Sequence, residues 1–238
     1  MIFAAGIGSR LKSLTQHQPK ALVHIGGISL LERCINKLIE TGVSDIIINI
    51  HHFGEQIIDF VMKKNQFGIN IAFSDERNQL LDTGGGLKKA SIFFDNQPFI
   101  VHNVDIISEI NLKTMYDYHI QTQSLATLAV RSRKSSRYLL FNEEGQLCGK
   151  ENQKTGEKQI VNFNNNNPLN ALAFSGIHII SPKIFSLMPS KDIFSITDFY
   201  INIAKNEKIT AFLHNDGYWM DMGKAEDIFT LEKILLQY

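Results

Sequence analysis

The sequence predicts an α/β fold: a mixed, mainly parallel sheet flanked by helices, with a small antiparallel insertion. Three observations predict it. Strand-like and helix-like periods alternate at short intervals through the first half of the chain. The stretch DIIINI (45–50) is apolar on both faces, as a strand covered on both sides requires. The second half breaks into short strands joined by tight turns.

The elements follow in order. Residues 1–5 form a short apolar strand that runs into a long loop. Leu30, Leu31, Cys34, Ile35, Leu38 and Ile39 recur at helical spacing, with Gly42 as the stop, so 30–40 is a helix. A strand at 45–50, a helix at 54–65, a strand at 69–74, a helix at 86–94 and a strand at 98–105 continue the alternation. Right-handed crossovers between parallel strands place ligands beyond the carboxyl ends of the strands. The opening loop and Asp105 both fall on that edge. Further on, 124–133, 138–142 and 146–150 read as the antiparallel insertion, and 151–169, with NNNNP at 164–168, reads as a polar loop. A strand at 171–181, a helix at 197–206, a strand at 209–214 and a closing helix at 224–236 complete the chain. With neither an internal repeat nor a linker, 1–238 reads as a single domain with an inserted lobe.

Composition narrows the function. Of 238 residues 44% are hydrophobic, and 24 basic side chains balance 24 acidic ones. Bulk polyanion binding needs a clustered basic excess, so neither nucleic acid nor a membrane surface is an expected partner. Cys34 and Cys148 lie far apart and read as small core residues of a reducing compartment. There is no charged-then-apolar leader and no apolar run of about 18 residues. A cytoplasmic location is expected.

The loop after the first strand carries the chemistry. In AAGIGSRLKSLTQHQPKALVHIGG (4–27), Gly6 and Gly8 let backbone N–H groups approach an anion. Arg10 offers a planar fork for phosphate oxygens, and Lys20, stiffened by Pro19, a point charge. Two phosphate loops are excluded. A dinucleotide G-x-G-x-x-G would need glycine at Leu11, and no G-K-[ST] follows at Walker spacing. A G-x-G alone also reads as a bare turn.

The longer string resembles the sugar-1-phosphate nucleotidyltransferase family. It stands here as Ala4-Ala5-Gly6-Ile7-Gly8-Ser9-Arg10-Leu11, Leu14-Thr15 and Pro19-Lys20-Ala21-Leu22. Ser13 and Ala21 replace family prolines; the Ala21 variant is associated with N-acetylmuramic acid 1-phosphate uridylyltransferases and choline-phosphate cytidylyltransferases. Three further pieces arrive in family order: DTGGGLKKA (82–90), HNVDII (102–107) and GYWMDMGKAEDI (217–228).

The resemblance implies a Rossmann-like fold of the nucleotide-diphospho-sugar transferase type. Its nucleotide-binding part covers roughly 1–110, its sugar-binding part roughly 111–215, and a closing metal-site segment and helix 216–238. It also implies a reaction, Mg²⁺-dependent attack of a sugar 1-phosphate on the α-phosphorus of a nucleoside triphosphate. Arg10 and Lys20 would be catalytic, holding the outgoing phosphates and neutralising charge at the α-phosphate. Ala4, Ala5, Gly6, Gly8, Ser9, Gly84, Gly85 and Gly86 would border the nucleotide, and Asp105 and Asp221 would hold the metal. Asn170, Gly176, Asp198 and Trp219 would line the sugar side, and Glu157-Lys158-Gln159 is the nearest match to the family's E-K-P lysine segment. The product would be a nucleotide-sugar for cell-wall or polysaccharide synthesis, made by a monomer or homodimer. A short chain with Ala21 favours uridylyl transfer to a muramic-type acceptor. Guanylyl transfer to mannose or heptose 1-phosphate and cytidylyl transfer to phosphocholine stay open. So does a non-catalytic, nucleotide-sugar-binding paralogue.

The histidines offer little. His51-His52 has no third ligand nearby and reads as a polar strand end; His102, His178 and His214 read as core or rim residues.

Overall fold

The computed structural model describes residues 1–161, 168–223, 226–228 and 230–231; the side chains of Ser9, Lys12 and Ser13 fall outside that description. Residues 162–167 of the expected polar loop and most of the expected closing helix likewise lie outside it. The chain packs as two compact units. One holds Met1–Leu81, His102–Glu109 and the segment from Tyr218 onward; the other holds Asp82–Val101 and Ile110–Gly217.

The first unit is built on parallel strands. Ile2–Phe3 lies between Asp45–Ile50 and the end of Phe99–Asn103, with Ile2 opposite both Ile48 and His102. Asp45–Ile50 pairs in turn with Asn70–Asp75 along six residues. Its isoleucines alternate to both faces and all are buried, which is why the run is continuous rather than alternating. The helix Leu30–Glu40 falls where its spacing predicts, burying Leu30, Leu31, Cys34, Ile35 and Leu38. Ser29 caps it by accepting the Glu32 N–H at 3.1 Å, worth about 1 kcal/mol. The helix Gly54–Lys63 buries Ile57 and Val61. Two features went unanticipated. His24–Ile25 and Ile28–Ser29 form a hairpin over Gly26 and Gly27, whose φ of 56° and 79° is the left-handed pair such a turn demands. Ile106–Ser108 pairs antiparallel with Trp219–Asp221.

The second unit carries a mixed sheet with the expected antiparallel insertion. Asn170–Ile180 runs antiparallel to both Ala126–Arg131 and Arg137–Phe141, and Ile209–Leu213 joins Ala126–Arg131 in parallel. Leu147–Asn152 extends the sheet from Arg137–Phe141. The polar stretch 151–169 is not the continuous loop expected. Lys158–Ile160 adds a further strand, with Lys158 opposite Glu151. A close approach fixes Gly149 there, because a Cβ would fall 2.2 Å from the Gln159 carbonyl oxygen.

The helix expected at 86–94 instead spans Asp82–Lys89, with a 3₁₀ turn at Ala90–Phe93. Three glycines weaken a helix intrinsically; docking overrides that weakness. The N–H groups of Gly84 and Gly85 both donate to the Phe194 carbonyl, at 2.8 and 3.3 Å, and Thr83 Oγ1 accepts from Ile196 N at 3.0 Å. A Cβ on Gly84 would stand 2.4 Å from the Phe194 ring. The helix Leu112–Thr122, capped by Asn111, escaped prediction because polar and aromatic residues blur its apolar period. Among the described residues no helix is long and apolar enough to cross a membrane.

Candidate active site

The first unit assembles four of the expected side chains. The opening strand delivers the loop, and a buried polar network anchors its start. Asn49 Oδ1 accepts the N–H groups of Ala4 and Ala5 at 2.7 and 3.3 Å, while Asn49 Nδ2 donates to Glu76 Oε1 at 2.8 Å. Asn49 and Glu76 are both buried. Sequence reasoning missed them, although one asparagine within an otherwise apolar strand was the available signal. His51 joins this network, its Nδ1 lying 2.7 Å from the Glu76 carbonyl oxygen.

Gly8 turns the loop. Its φ of 68° is left-handed, its carbonyl accepts from Leu11 N and Thr15 Oγ1, and a Cβ would press on Lys20 and Thr15 at 3.0 Å. Gly6, in contrast, faces open space. The 3₁₀ segment Ser9–Thr15 follows and carries Arg10; the Ser9 side chain lies outside the described residues. Pro19 then starts the short 3₁₀ turn Lys20–Leu22, and Lys20 is buried with its ammonium paired to Asp105 Oδ2.

Asp105 and Asp221 meet because their strands pair. Asp221 stands opposite Ile106, and Met222 N donates to the Asp105 carbonyl at 2.8 Å. Trp219 stands two residues earlier, opposite Ser108. Asp221 Oδ1 is buried and has no hydrogen-bond partner among the described residues. Burial raises the Asp221 pKa, and the neighbouring Asp105 charge raises it further; Lys20 and Arg10 oppose that rise. Gly223 explains how Arg10 comes so near. A Cβ there would fall 2.6 Å from Arg10 Nη2 and 2.9 Å from Asp221 Oδ1, so only glycine leaves room for the guanidinium beside the carboxylate.

An orphaned, buried carboxylate oxygen next to a second carboxylate is a poor arrangement for an apo core and a good one for a hard divalent cation. Among the described residues no group of three or more His, Cys, Asp or Glu could hold a metal. Two carboxylates are a donor set that Mg²⁺ can use, since it takes one or two carboxylates and completes its shell with water and phosphate oxygens.

The second unit carries a separate cleft of about 570 Å³. Asp82, Arg137, Tyr138, Lys150, Phe174 and Asp198 are among its walls. Lys150 Nζ donates to Asp198 Oδ1 at 2.7 Å. Lys158, of the nearest match to the family's lysine segment, lies across the strand pair from Glu151, its Nζ 3.9 Å from Glu151 Oε2. Lys150 carried no motif to mark it. Asp198 sits in the first turn of Ile196–Ile203, which Ser195 caps. Asn170 and Gly176 belong to the strand Asn170–Ile180, Asn170 exposed at its start and Gly176, φ 75°, at its irregularity. Gly84, Gly85 and Gly86 are buried inside a helix, and Gly84 is spoken for by Phe194. His102, His178 and His214 are buried core residues; His178 Nδ1 meets the Tyr200 hydroxyl at 2.7 Å and His214 Nε2 meets Ser175 Oγ at 2.7 Å. Cys34 and Cys148 are buried and free.

The model of the nucleotidyl transferase family matches residues 1–237. The chain belongs to that family. Among its nucleotidyl transferase relatives, mannose-1-phosphate guanyltransferase 2 of Candida glabrata is 29% identical over all of this chain and 64% of its own length. N-acetylmuramate alpha-1-phosphate uridylyltransferase of Caulobacter vibrioides is 26% identical over 95% of this chain and 92% of its own. The chain thus spans under two thirds of the guanyltransferase and nearly all of the uridylyltransferase. HddC from Yersinia pseudotuberculosis, solved in complex with GMP-PN, superposes with a TM-score of 0.78 at 26% identity, covering 98% of this chain and 97% of that one. A putative glucose-1-phosphate thymidylyltransferase from Bacillus anthracis shares the fold, with a TM-score of 0.81 at 20% identity over 98% and 93% of the two chains.

Proposed function

We propose that this chain transfers a nucleotidyl group from a nucleoside triphosphate to a sugar 1-phosphate, releasing pyrophosphate and a nucleotide-sugar. The observation that carries the reading is the cluster of Arg10, Lys20, Asp105 and Asp221 around an unpartnered carboxylate oxygen.

A phosphate oxygen of the acceptor forms a bond to the α-phosphorus, and the bond from that phosphorus to the bridging oxygen of the β-phosphate breaks. The acceptor arrives ionised, so the residues need to hold two anions together rather than remove a proton. Arg10 would take the outgoing β- and γ-phosphate oxygens through its fork. Lys20 would leave Asp105 to neutralise the α-phosphate, and the N–H groups from Ala4 to Gly8 would border the triphosphate. Gly85 and Gly86 would border the base, Gly84 being covered by the Phe194 ring. Asp105 and Asp221 would hold Mg²⁺, which when bound supplies charge neutralisation for the phosphates. In the second unit, Lys150 would bind the acceptor phosphate and Asp198 a sugar hydroxyl, with Asn170 and Gly176 on the same side. Trp219 would serve the sugar.

The favoured acceptor is an N-acetylated hexosamine 1-phosphate of muramic type, with UTP as donor. The near-complete coverage of the Caulobacter relative and the alanine at position 21 support it. Guanylyl transfer is the second reading, supported by the 29% identity to the Candida protein and the likeness to HddC. Pyrophosphate release measured across paired triphosphates and acceptors tests both. Turnover with UTP and N-acetylmuramic acid 1-phosphate above every other pair supports the first reading. Preference for GTP with mannose or heptose 1-phosphate replaces it with the second, and no turnover with any pair refutes the class.

A further inference from the structure

Two cations line the cleft of the second unit, Arg137 and Lys150, and they stand in different states. Lys150 Nζ is committed to Asp198 Oδ1 at 2.7 Å. Arg137 is exposed, and among the described residues its guanidinium makes no hydrogen bond or ion pair. Its backbone is nonetheless firmly held. Arg137 N donates to Ser135 Oγ at 3.3 Å, Ser135 N donates to the Tyr138 hydroxyl at 2.9 Å, and Gln153 N donates to the Ser136 carbonyl at 2.9 Å. In the antiparallel pair Arg137 stands opposite Asn152, and Leu139 opposite Lys150. Arg137 and Lys150 are therefore diagonal neighbours on one face of the ladder, about 7–8 Å apart.

The carboxylates on the walls leave Arg137 to a ligand. Asp82 Oδ1 accepts from Thr83 N at 2.6 Å, and Glu151 Oε1 accepts from Gln153 Nε2 at 2.5 Å. Asp198 is held by Lys150. Glu157 is exposed and, like Arg137, has no side-chain partner among the described residues, yet the two do not pair with each other. The cleft thus offers one committed cation, one free planar fork and one free acceptor. A guanidinium donates only, and its fork matches a carboxylate bidentately, with bonds about twice as strong as those to a neutral hydroxyl. A neutral hexose 1-phosphate has one anionic group and uses one of the two cations. A sugar 1-phosphate with an acid elsewhere on its ring uses both. N-acetylmuramic acid 1-phosphate is such a molecule, with a lactyl ether carboxylate on C3 and an amide N–H that can donate to Glu157. A cleft of about 570 Å³ has room for the branch.

We propose that Arg137 is a specificity-determining residue of the acceptor cleft: its guanidinium takes a carboxylate on the sugar, so that a carboxylated sugar 1-phosphate is preferred over the same sugar without the acid. The inference rests on the proposed reaction for the presence of the acceptor in this cleft, and it adds the group by which the acceptor is chosen.

The test titrates N-acetylmuramic acid 1-phosphate and N-acetylglucosamine 1-phosphate, which differ only in the lactyl ether, into the full chain. Mg²⁺ and the α,β-methylene analogue of UTP, then of GTP, are present, and pyrophosphate release with the natural triphosphates is measured alongside. The wild type should bind the muramic acceptor about tenfold or more tightly than the other. Arg137→Gln should weaken the muramic acceptor by about 10- to 100-fold, the share of a bidentate charge-assisted pair, and leave the glucosamine acceptor within about twofold. Arg137→Lys, which keeps the charge without the fork, should retain an intermediate affinity. Because Arg137 is exposed, neither variant should melt lower than the wild type. Equal weakening of both acceptors, affinity unchanged in both variants, or a wild type that does not discriminate would overturn the proposal. Binding that depends on Arg137 without any pyrophosphate release would sink the reaction and uphold this assignment; turnover on both acceptors that ignores Arg137 would sink the assignment alone.

Discussion

Gly223→Ala isolates the contact on which the account of Arg10 depends. Gly223 has no left-handed φ, so alanine fits the backbone; what it cannot fit is the space. The new methyl carbon would stand 2.6 Å from Arg10 Nη2, 2.9 Å from Arg10 Cζ and 2.9 Å from Asp221 Oδ1. The ends of two side chains must then give way, and Arg10, the longer, gives first. Fold stability should change by under about 1 kcal/mol, because no buried backbone is displaced. A charge-assisted hydrogen bond from Arg10 to a phosphate contributes about 1.5–3 kcal/mol, and each 1.4 kcal/mol is tenfold in rate. Losing it should lower kcat/KM for the triphosphate by about 10- to 100-fold. Steady-state pyrophosphate release, beside a thermal melt of the same preparation, measures both quantities. Wild-type kcat/KM with an unchanged melt would refute the placement of Arg10, and a collapsed melt would refute the claim that only side-chain ends move.

Two further outcomes concern stability. Asn49→Leu removes the acceptor of the Ala4 and Ala5 amides and the donor to Glu76, and should cost about 2–4 kcal/mol in urea unfolding, with the loop as its first casualty; a loss under about 0.5 kcal/mol would refute the anchoring role. His102, His119 and His214 are buried with pKa values lowered to about 4, mainly by desolvation, against an ordinary value of 6.5. Between those values the unfolded chain binds protons that the folded chain refuses, so stability falls as pH falls from 6.5 towards 4, by up to about 1.4 kcal/mol per unit for each histidine. Urea midpoints should therefore drop across that window, and less steeply in His119→Gln, which removes one of the three contributions; a pH-independent midpoint would contradict it.

What the sequence revealed and what it concealed divide on the range of the interaction. Local patterns were legible to the residue: Leu30–Glu40 and Asp45–Ile50 appear where spacing and burial predicted them. Strand pairings between distant segments were not. Nothing in IIS (106–108) or WMD (219–221) announces that they pair, yet that ladder is what brings Asp221 beside Asp105. Spacing starts this helix only at Gly86, because the groups that hold it from Asp82, the carbonyl and ring of Phe194, come from a distant segment. The loop string pointed to Arg10 and Lys20, and to a glycine turn at Gly8, whereas Asn49 and Glu76, which secure its start, belong to strands that look purely structural. Lys150 is a surface-strand lysine until its contact with Asp198 is seen.

The central claim is that Asp105 and Asp221 hold the metal with which a triphosphate binds beside Arg10 and Lys20. Calorimetric titration of UTP into the full chain, with Mg²⁺ and then with EDTA, repeated on Asp221→Asn, tests it most directly. Asparagine keeps the shape and removes the charge, and it relieves a buried carboxylate oxygen that lacks a partner, so the variant should melt no lower than the wild type. The account predicts Mg²⁺-dependent binding that EDTA abolishes and that Asp221→Asn weakens by about tenfold or more. Equal affinity in the variant, or binding indifferent to Mg²⁺, would contradict it.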